Sequence, residues 1–284
     1  MKNNFSSLLL IILTSLITNL SAQINMPSAE TLKAFKSSKT YIVLEDVMFS
    51  DFNSNIKNEA TKHWKATPFE VISLSEFEKI SKNTKSSFLM VVIGEYTGLP
   101  KNTIFNVLTL MMGHSSGDVN KMPEILSIPL SYYSEDGDEE DYGYKLGGIL
   151  KGMQYAIDNL LNQKITISNA KDILNANKVE VKEKELWITA NDLSASVNTL
   201  EKIKQYYPYK VAIKLEEEIQ QAIDNNQVNV IVVHKVGNSE IKNSICLKII
   251  FDCSSGKIYY GNFHSITSKE PDGLLPKDFQ EIKI

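Results

Sequence analysis

A chain of 284 residues with 43% hydrophobic and 23% charged side chains can bury one large or two ordinary cores, which excludes a disordered tether. Its formal net charge of −4 excludes strong attraction to polyanions or polycations. Arginine is absent, so the planar bidentate group that usually reads guanine or phosphate is missing, which argues against sequence-specific nucleic-acid binding.

Residues 1–22 read as a signal peptide. Lys2 supplies the positive start, Leu8 to Leu13 an apolar run too short for a stable span, and Leu20-Ser21-Ala22 small residues at the cleavage position. The mature chain is expected to begin at Gln23, with residues 23–40 as an amino-terminal lead. The only cysteines are Cys246 and Cys253, so no acylated cysteine follows the cut and a lipid anchor is not expected. No later segment approaches about 18 consecutive apolar residues, so no membrane span is expected in the mature chain. The expected location is the periplasm or the medium.

The first α/β half is expected over 41–134. Tyr41 to Leu44 form a strand, and Ser50 or Asp51 caps a helix carrying Phe52, Ile56, Ala60 and His63 or Trp64 on one face, which Pro68 stops. A strand over 69–72, a short capped helix over 75–80 and a buried strand over 87–93 follow, then two strands over 104–112 and 124–133. Residues 135–183 hold the acidic run Glu135 to Asp141, a long amphipathic helix and a linker. Leu146, Ile149, Leu150, Met153, Ile157, Leu160 and Leu161 lie along one face of that helix, so it packs on a sheet or bridges the halves. Gly148 and Gly152 have the spacing of a membrane dimer motif, but Lys145, Lys151 and Asp158 exclude a bilayer.

The second half, over 184–266, repeats the order. Leu186 to Thr189 form a strand, Ser194 or Ser196 caps a helix carrying Val197, Leu200, Ile203 and Tyr207, and Pro208 stops it. A strand over 209–213, a helix over 215–223, a buried strand over 228–236 and a hairpin over 245–252 and 257–264 complete the half, leaving 267–284 as a tail. Pro-Phe-Glu-Val at 68–71 matches Pro-Tyr-Lys-Val at 208–211, and Ser-Ser-Gly recurs at 115–117 and 254–256. The expected fold is α/β: two related β-α-β-α-β-plus-hairpin halves with mixed sheets, joined by the long amphipathic helix. On this element order each half resembles the small α/β module at the amino terminus of the Tol-system β-propeller protein and in curli-type secretion components. The whole chain is similar to uncharacterised exported proteins of Gram-negative bacteria.

Gly113-His114-Ser115-Ser116-Gly117 satisfies the G-x-S-x-G pattern of a hydrolase nucleophile elbow, with Asp252 and His264 as the order-compatible acid and base. The elbow needs a helix directly after the serine, whereas residues 118–123 lead into another strand, and the second half has Ser-Ser-Gly at the matching place. The string therefore reads as a hairpin turn. Asp136, Asp138 and Glu140 present alternate carboxylates suited to calcium, although Asp141 stands where the EF-hand loop needs glycine. His63, His114, His234 and His264 read as lacking a carboxylate or cysteine at ligand spacing, so zinc is not expected. Trp64, Phe69, Tyr206, Tyr207 and Tyr209 cluster beside the two prolines and read as packing, with a paired aromatic groove as the functional reading. Neither a P-loop nor a dinucleotide fingerprint is present, and no cofactor is expected. Cys246 and Cys253, seven positions apart along one strand, read as free buried thiols on opposite faces.

The resulting expectation is an exported, non-enzymatic protein that binds another protein or an envelope component. The alternatives are a serine hydrolase using Ser115 and a calcium-dependent assembly or adhesion protein.

Overall fold

The computed structural model describes residues 3–5 and 26–283, apart from 48, 49, 97, 98, 100–102, 135–140, 163, 165, 167, 168 and 242. Most of the expected leader and the acidic run thus lie outside the described residues. Within segment 1–22, β1 (Asn3–Phe5) pairs in parallel with Gly94 to Tyr96.

The chain folds as an α/β protein with two mixed sheets. The first holds β2 (Thr40–Val43), β3 (Phe69–Ile72), β4 (Ser87–Tyr96), β5 (Phe105–Met112) and β6 (Glu124–Tyr132) in the order β3-β2-β4-β5-β6. The second holds β7 (Glu185–Ile188), β8 (Lys210–Ile213), β9 (Val230–Val236), β10 (Ile245–Asp252) and β11 (Ile258–Ser265) in the order β8-β7-β9-β10-β11. In both, the first three strands run parallel and the last two are added antiparallel. Pro129 is tolerated inside β6 because that strand closes its sheet and the ladder shifts register opposite it.

Helices α1 (Ala29–Lys36), α2 (Asp51–His63), α3 (Leu74–Ile80) and α4 (Leu146–Leu161) serve mainly the first half. Ser50 caps α2 by accepting from the Asn53 N–H, and Ser73 and Glu76 form a capping box on α3. The described chain continues with α5 (Ala170–Lys178), α6 (Leu200–Lys204), α7 (Glu216–Asp224) and α8 (Pro276–Ile282). Helices α1, α5 and α8 fall where only lead, linker and tail were expected. Each buries a short apolar set: Leu32 and Phe35, Ala170 and Leu174, and Phe279 and Ile282.

The second half departs from expectation at its first helix. Neither Ser194 nor Ser196 caps it; Thr199 does, and α6 spans five residues. The preceding segment is diverted into two short 3-10 turns at 190–192 and 195–197 because the chain near the carboxyl end holds it: Ser194 donates to the Leu274 carbonyl and Leu274 to that of Asp192. Those backbone bonds replace the ones a longer helix would make.

The second sheet is buried on both faces, which explains its continuous apolar runs. Val230, Val232, Leu247, Ile249 and Phe251 join a core shared with the first sheet and α4, whereas Ile231, Val233, Ile250 and Tyr260 pack with Tyr207, Leu274 and Phe279. Both cysteines are free and buried. Cys253 belongs to the shared core, while the Cys246 thiol faces the Gly273 carbonyl at 3.7 Å. Polar clasps tie the sheets: the Tyr132 hydroxyl donates to the Ile245 carbonyl at 3.0 Å and accepts from its N–H at 2.8 Å. His234 Nε2 lies 2.7 Å from the Pro129 carbonyl. Among the described residues, no helix is long and apolar enough to cross a membrane.

Candidate functional site

Among the described residues, a cluster of ligand-type side chains lies where α2, α4 and α7 meet. With Ser50 capping α2, Phe52, Ile56 and Ala60 turn inward, and Glu59 and His63, one helical turn apart, share a buried face. Both side chains are 2% exposed. Asp224, the last residue of α7, meets them with a side chain 25% exposed. Helix α4 crosses above them at Gly147, where a Cβ would stand 2.3 Å from Glu59 Oε2 and 2.6 Å from the His63 ring, so only glycine allows that approach.

His63 Nε2 lies 3.2 Å from Asp224 Oδ1 and 3.6 Å from Glu59 Oε2. The other carboxylate oxygens are held from outside: Lys62 Nζ is 2.7 Å from Asp224 Oδ2 and 3.4 Å from Glu59 Oε1, and Asn58 donates to Glu59 Oε1 at 3.1 Å. Burial, with the neighbouring Asp224 charge, pushes the Glu59 carboxyl up. Burial also holds the His63 imidazole below its usual value, against the hydrogen bond to Asp224. For Asp224 burial opposes the charge, but hydrogen bonds from Lys62 and His63 outweigh it and keep the carboxyl below its ordinary value. The cluster therefore offers one imidazole nitrogen and two carboxylate oxygens, all within 4.8 Å of one another.

This corrects the expectation that no histidine has a carboxylate at ligand spacing. Glu59 and His63 stand four apart on a helix, a signal present in the sequence; Asp224 comes from the other half, and nothing local announces it.

The proposed hydrolase residues are not brought together. Ser115 is exposed in the turn between β5 and β6, where the Gly117 φ is +72°, and His114 Nδ1 engages Ser116 at 2.7 Å. A 3-10 turn over Val119–Lys121 follows, then β6, so no helix begins after the serine. Asp252 accepts from the Ser254 and Ser255 N–H groups, both at 2.9 Å, and from Lys184. His264 sits opposite Cys246, six positions along β10 from Asp252, or about 20 Å at the rise of a strand. Its Nδ1 receives the Lys248 ammonium at 2.8 Å and its Nε2 donates to the Pro271 carbonyl, so neither nitrogen is available as a general base. Gly256 repeats the positive φ of Gly117, at +70°, which is the backbone demand behind both Ser-Ser-Gly strings.

Asp136, Asp138 and Glu140 lie outside the described residues. Of the aromatic set, Trp64 and Tyr207 are buried in the two cores; Tyr207 packs edge-on against Tyr209 at 5.3 Å. Sequence reasoning also missed a sealed polar network. Lys248 Nζ contacts both Asp278 oxygens at 2.8 and 2.7 Å, and the Tyr260 hydroxyl donates to Asp278 at 2.6 Å. It pins α8 to β10 and β11. A cavity of about 20 Å³ lies among Leu126, Ile128, Ile149, Met153, Ile249 and Phe251, an apolar space on the scale of a single water molecule.

The fold and cluster define a mixed α/β protein with a buried carboxylate-imidazole site between its halves. No family model, no curated protein and no solved structure matches the chain.

Proposed function

We propose that this chain is an exported, non-enzymatic binding protein, made by duplication of one α/β unit, that captures an extended segment of another protein or of an envelope component along its open sheet edges. Export is supported by the charge, apolar run and small residues of segment 1–22. Duplication is supported by the common strand order and strand directions of the two sheets and by the recurrence of the glycine turns.

The observation that carries the reading is that β3 and β8, the equivalent outer strands, each pair on one side only among the described residues. Thr40 donates to Pro68 and Leu44 to Ile72, so the even-numbered positions of β3 face β2 and the backbone groups of Phe69 and Val71 face outward. By the same alternation Val211 and Ile213 of β8 face outward, since Lys214 donates inward to Ile188. Such edges accept an added strand, and Glu70 and Lys210 beside them discourage indiscriminate pairing.

The test places a photo-crosslinking residue at Glu70 or Lys210 in cells expressing the full chain. A discrete adduct in the envelope fraction, lost when Val71→Pro and Val211→Pro remove the outward donors, is the expected result. Retention of the full-length chain in the cytosol, or ester or peptide turnover abolished by Ser115→Ala, overturns the reading.

A further inference from the structure

We propose that Glu59, His63 and Asp224 bind a divalent transition-metal ion of the zinc class through Glu59 Oε2, His63 Nε2 and Asp224 Oδ1, clamping α2 to α7. Donor atoms on a tetrahedral ion with bonds of about 2.0–2.1 Å stand about 3.4 Å apart. The observed 3.2 and 3.6 Å from His63 Nε2 to the two carboxylates bracket that value. Metal entry replaces the hydrogen bond between His63 and Asp224 and draws the donor atoms, which lie within 4.8 Å of one another, toward the tetrahedral spacing.

The competing account is an ion network closed by Lys62, with Lys151, whose ammonium donates to the Ile223 and Cys253 carbonyls, as the second nearby cation. Lys62 and Asn58, however, take Oδ2 and Oε1, the oxygens turned away from the imidazole, and leave Oδ1 and Oε2 directed at Nε2. Holding the outer oxygens of ligating carboxylates is the part that second-layer groups play around a metal. At Gly147 the backbone of α4 packs directly on the two helix α2 donors, since a Cβ there would stand 2.3 Å from Glu59 Oε2 and 3.0 Å from His63 Nε2. An imidazole nitrogen among the three donors disfavours calcium and magnesium, which prefer all-oxygen shells, and suits a smaller borderline ion. Asp224, with a side chain 25% exposed, places the cluster within reach of water.

The experiment is calorimetric titration of the chelator-treated full chain with Zn²⁺, with Mg²⁺ as the control ion, alongside thermal melts. Expected are one equivalent of Zn²⁺ bound with a Kd near or below about 1 µM, a rise in melting temperature, and no heat with Mg²⁺. His63→Gln and Asp224→Asn should each weaken binding roughly 10-fold or more and abolish the rise, while His114→Gln leaves both intact. If His63→Gln fails to fold, Asp224→Asn, at the partly exposed rim, decides. Absence of Zn²⁺ binding, equal binding of Mg²⁺, binding that survives Asp224→Asn unchanged, or binding lost in His114→Gln overturns the proposal.

Discussion

Glu124 opens β6 half-buried, its carboxylate accepting from Ser127 at 2.7 Å, and desolvation pushes its pKa from 4.5 to about 7. A folded-state pKa raised above the unfolded one gives a contribution that is complete below pH 4.5 and lost as the pH climbs through 7. Glu124→Gln should therefore stabilise the protein by about 2 kcal/mol at pH 8 and by nearly nothing at pH 4, as read from urea unfolding at the two values. Lys248 presents the opposite case, a buried ammonium fully matched by Asp278 and His264. Lys248→Met strands the Asp278 carboxylate and should cost about 3–5 kcal/mol, and the double variant Lys248→Met with Asp278→Leu should recover much of it. Chemical denaturation of the single and double variants checks this. None of these environments is legible in the sequence, because a lysine inside a strand gives no sign of whether its ammonium meets water or a carboxylate from thirty positions away.

Among the elements, those with their own caps and apolar faces were readable. Helix α2 starts directly after its Ser50 cap, and α4, which has no side-chain cap, follows from its apolar period alone, since both signals are local. Helix α6 is capped by Thr199, later than the sequence suggests, because Ser194 offers a cap that its backbone, bonded to Leu274, does not use. The eight-residue α1 was overlooked although Ser28 caps it in the usual way. Its apolar content, Leu32 and Phe35, is too sparse to stand out without the core it covers. The crossing of α4 over α2 at Gly147 gives a prediction at this scale. Gly147→Ala should cost about 1–3 kcal/mol despite alanine's better helix propensity, because its methyl would press on Glu59 and His63. A lowered melting temperature with unchanged helical circular dichroism is the expected readout.

Across the whole molecule, the first sheet, α4 and one face of the second sheet share a continuous core, so the halves should unfold together. Calorimetric and van't Hoff enthalpies that agree would establish this; two resolved transitions would refute it. Tyr132→Phe removes the hydroxyl that serves both backbone groups of Ile245 and should cost about 1–3 kcal/mol, measured as a shift of that single transition. Of the site, the pair Glu59 and His63 could have been read from helical spacing, but Asp224 could not. The sequence alone determined the α/β class, the alternation of strands and helices and the turns at Gly117 and Gly256, all of which follow from local backbone sterics and hydrophobic period. Only the tertiary structure decided which charges are buried together and which serine, histidine and aspartate stay apart. Those outcomes depend on distances between residues far apart in the chain, which side-chain periodicity does not encode.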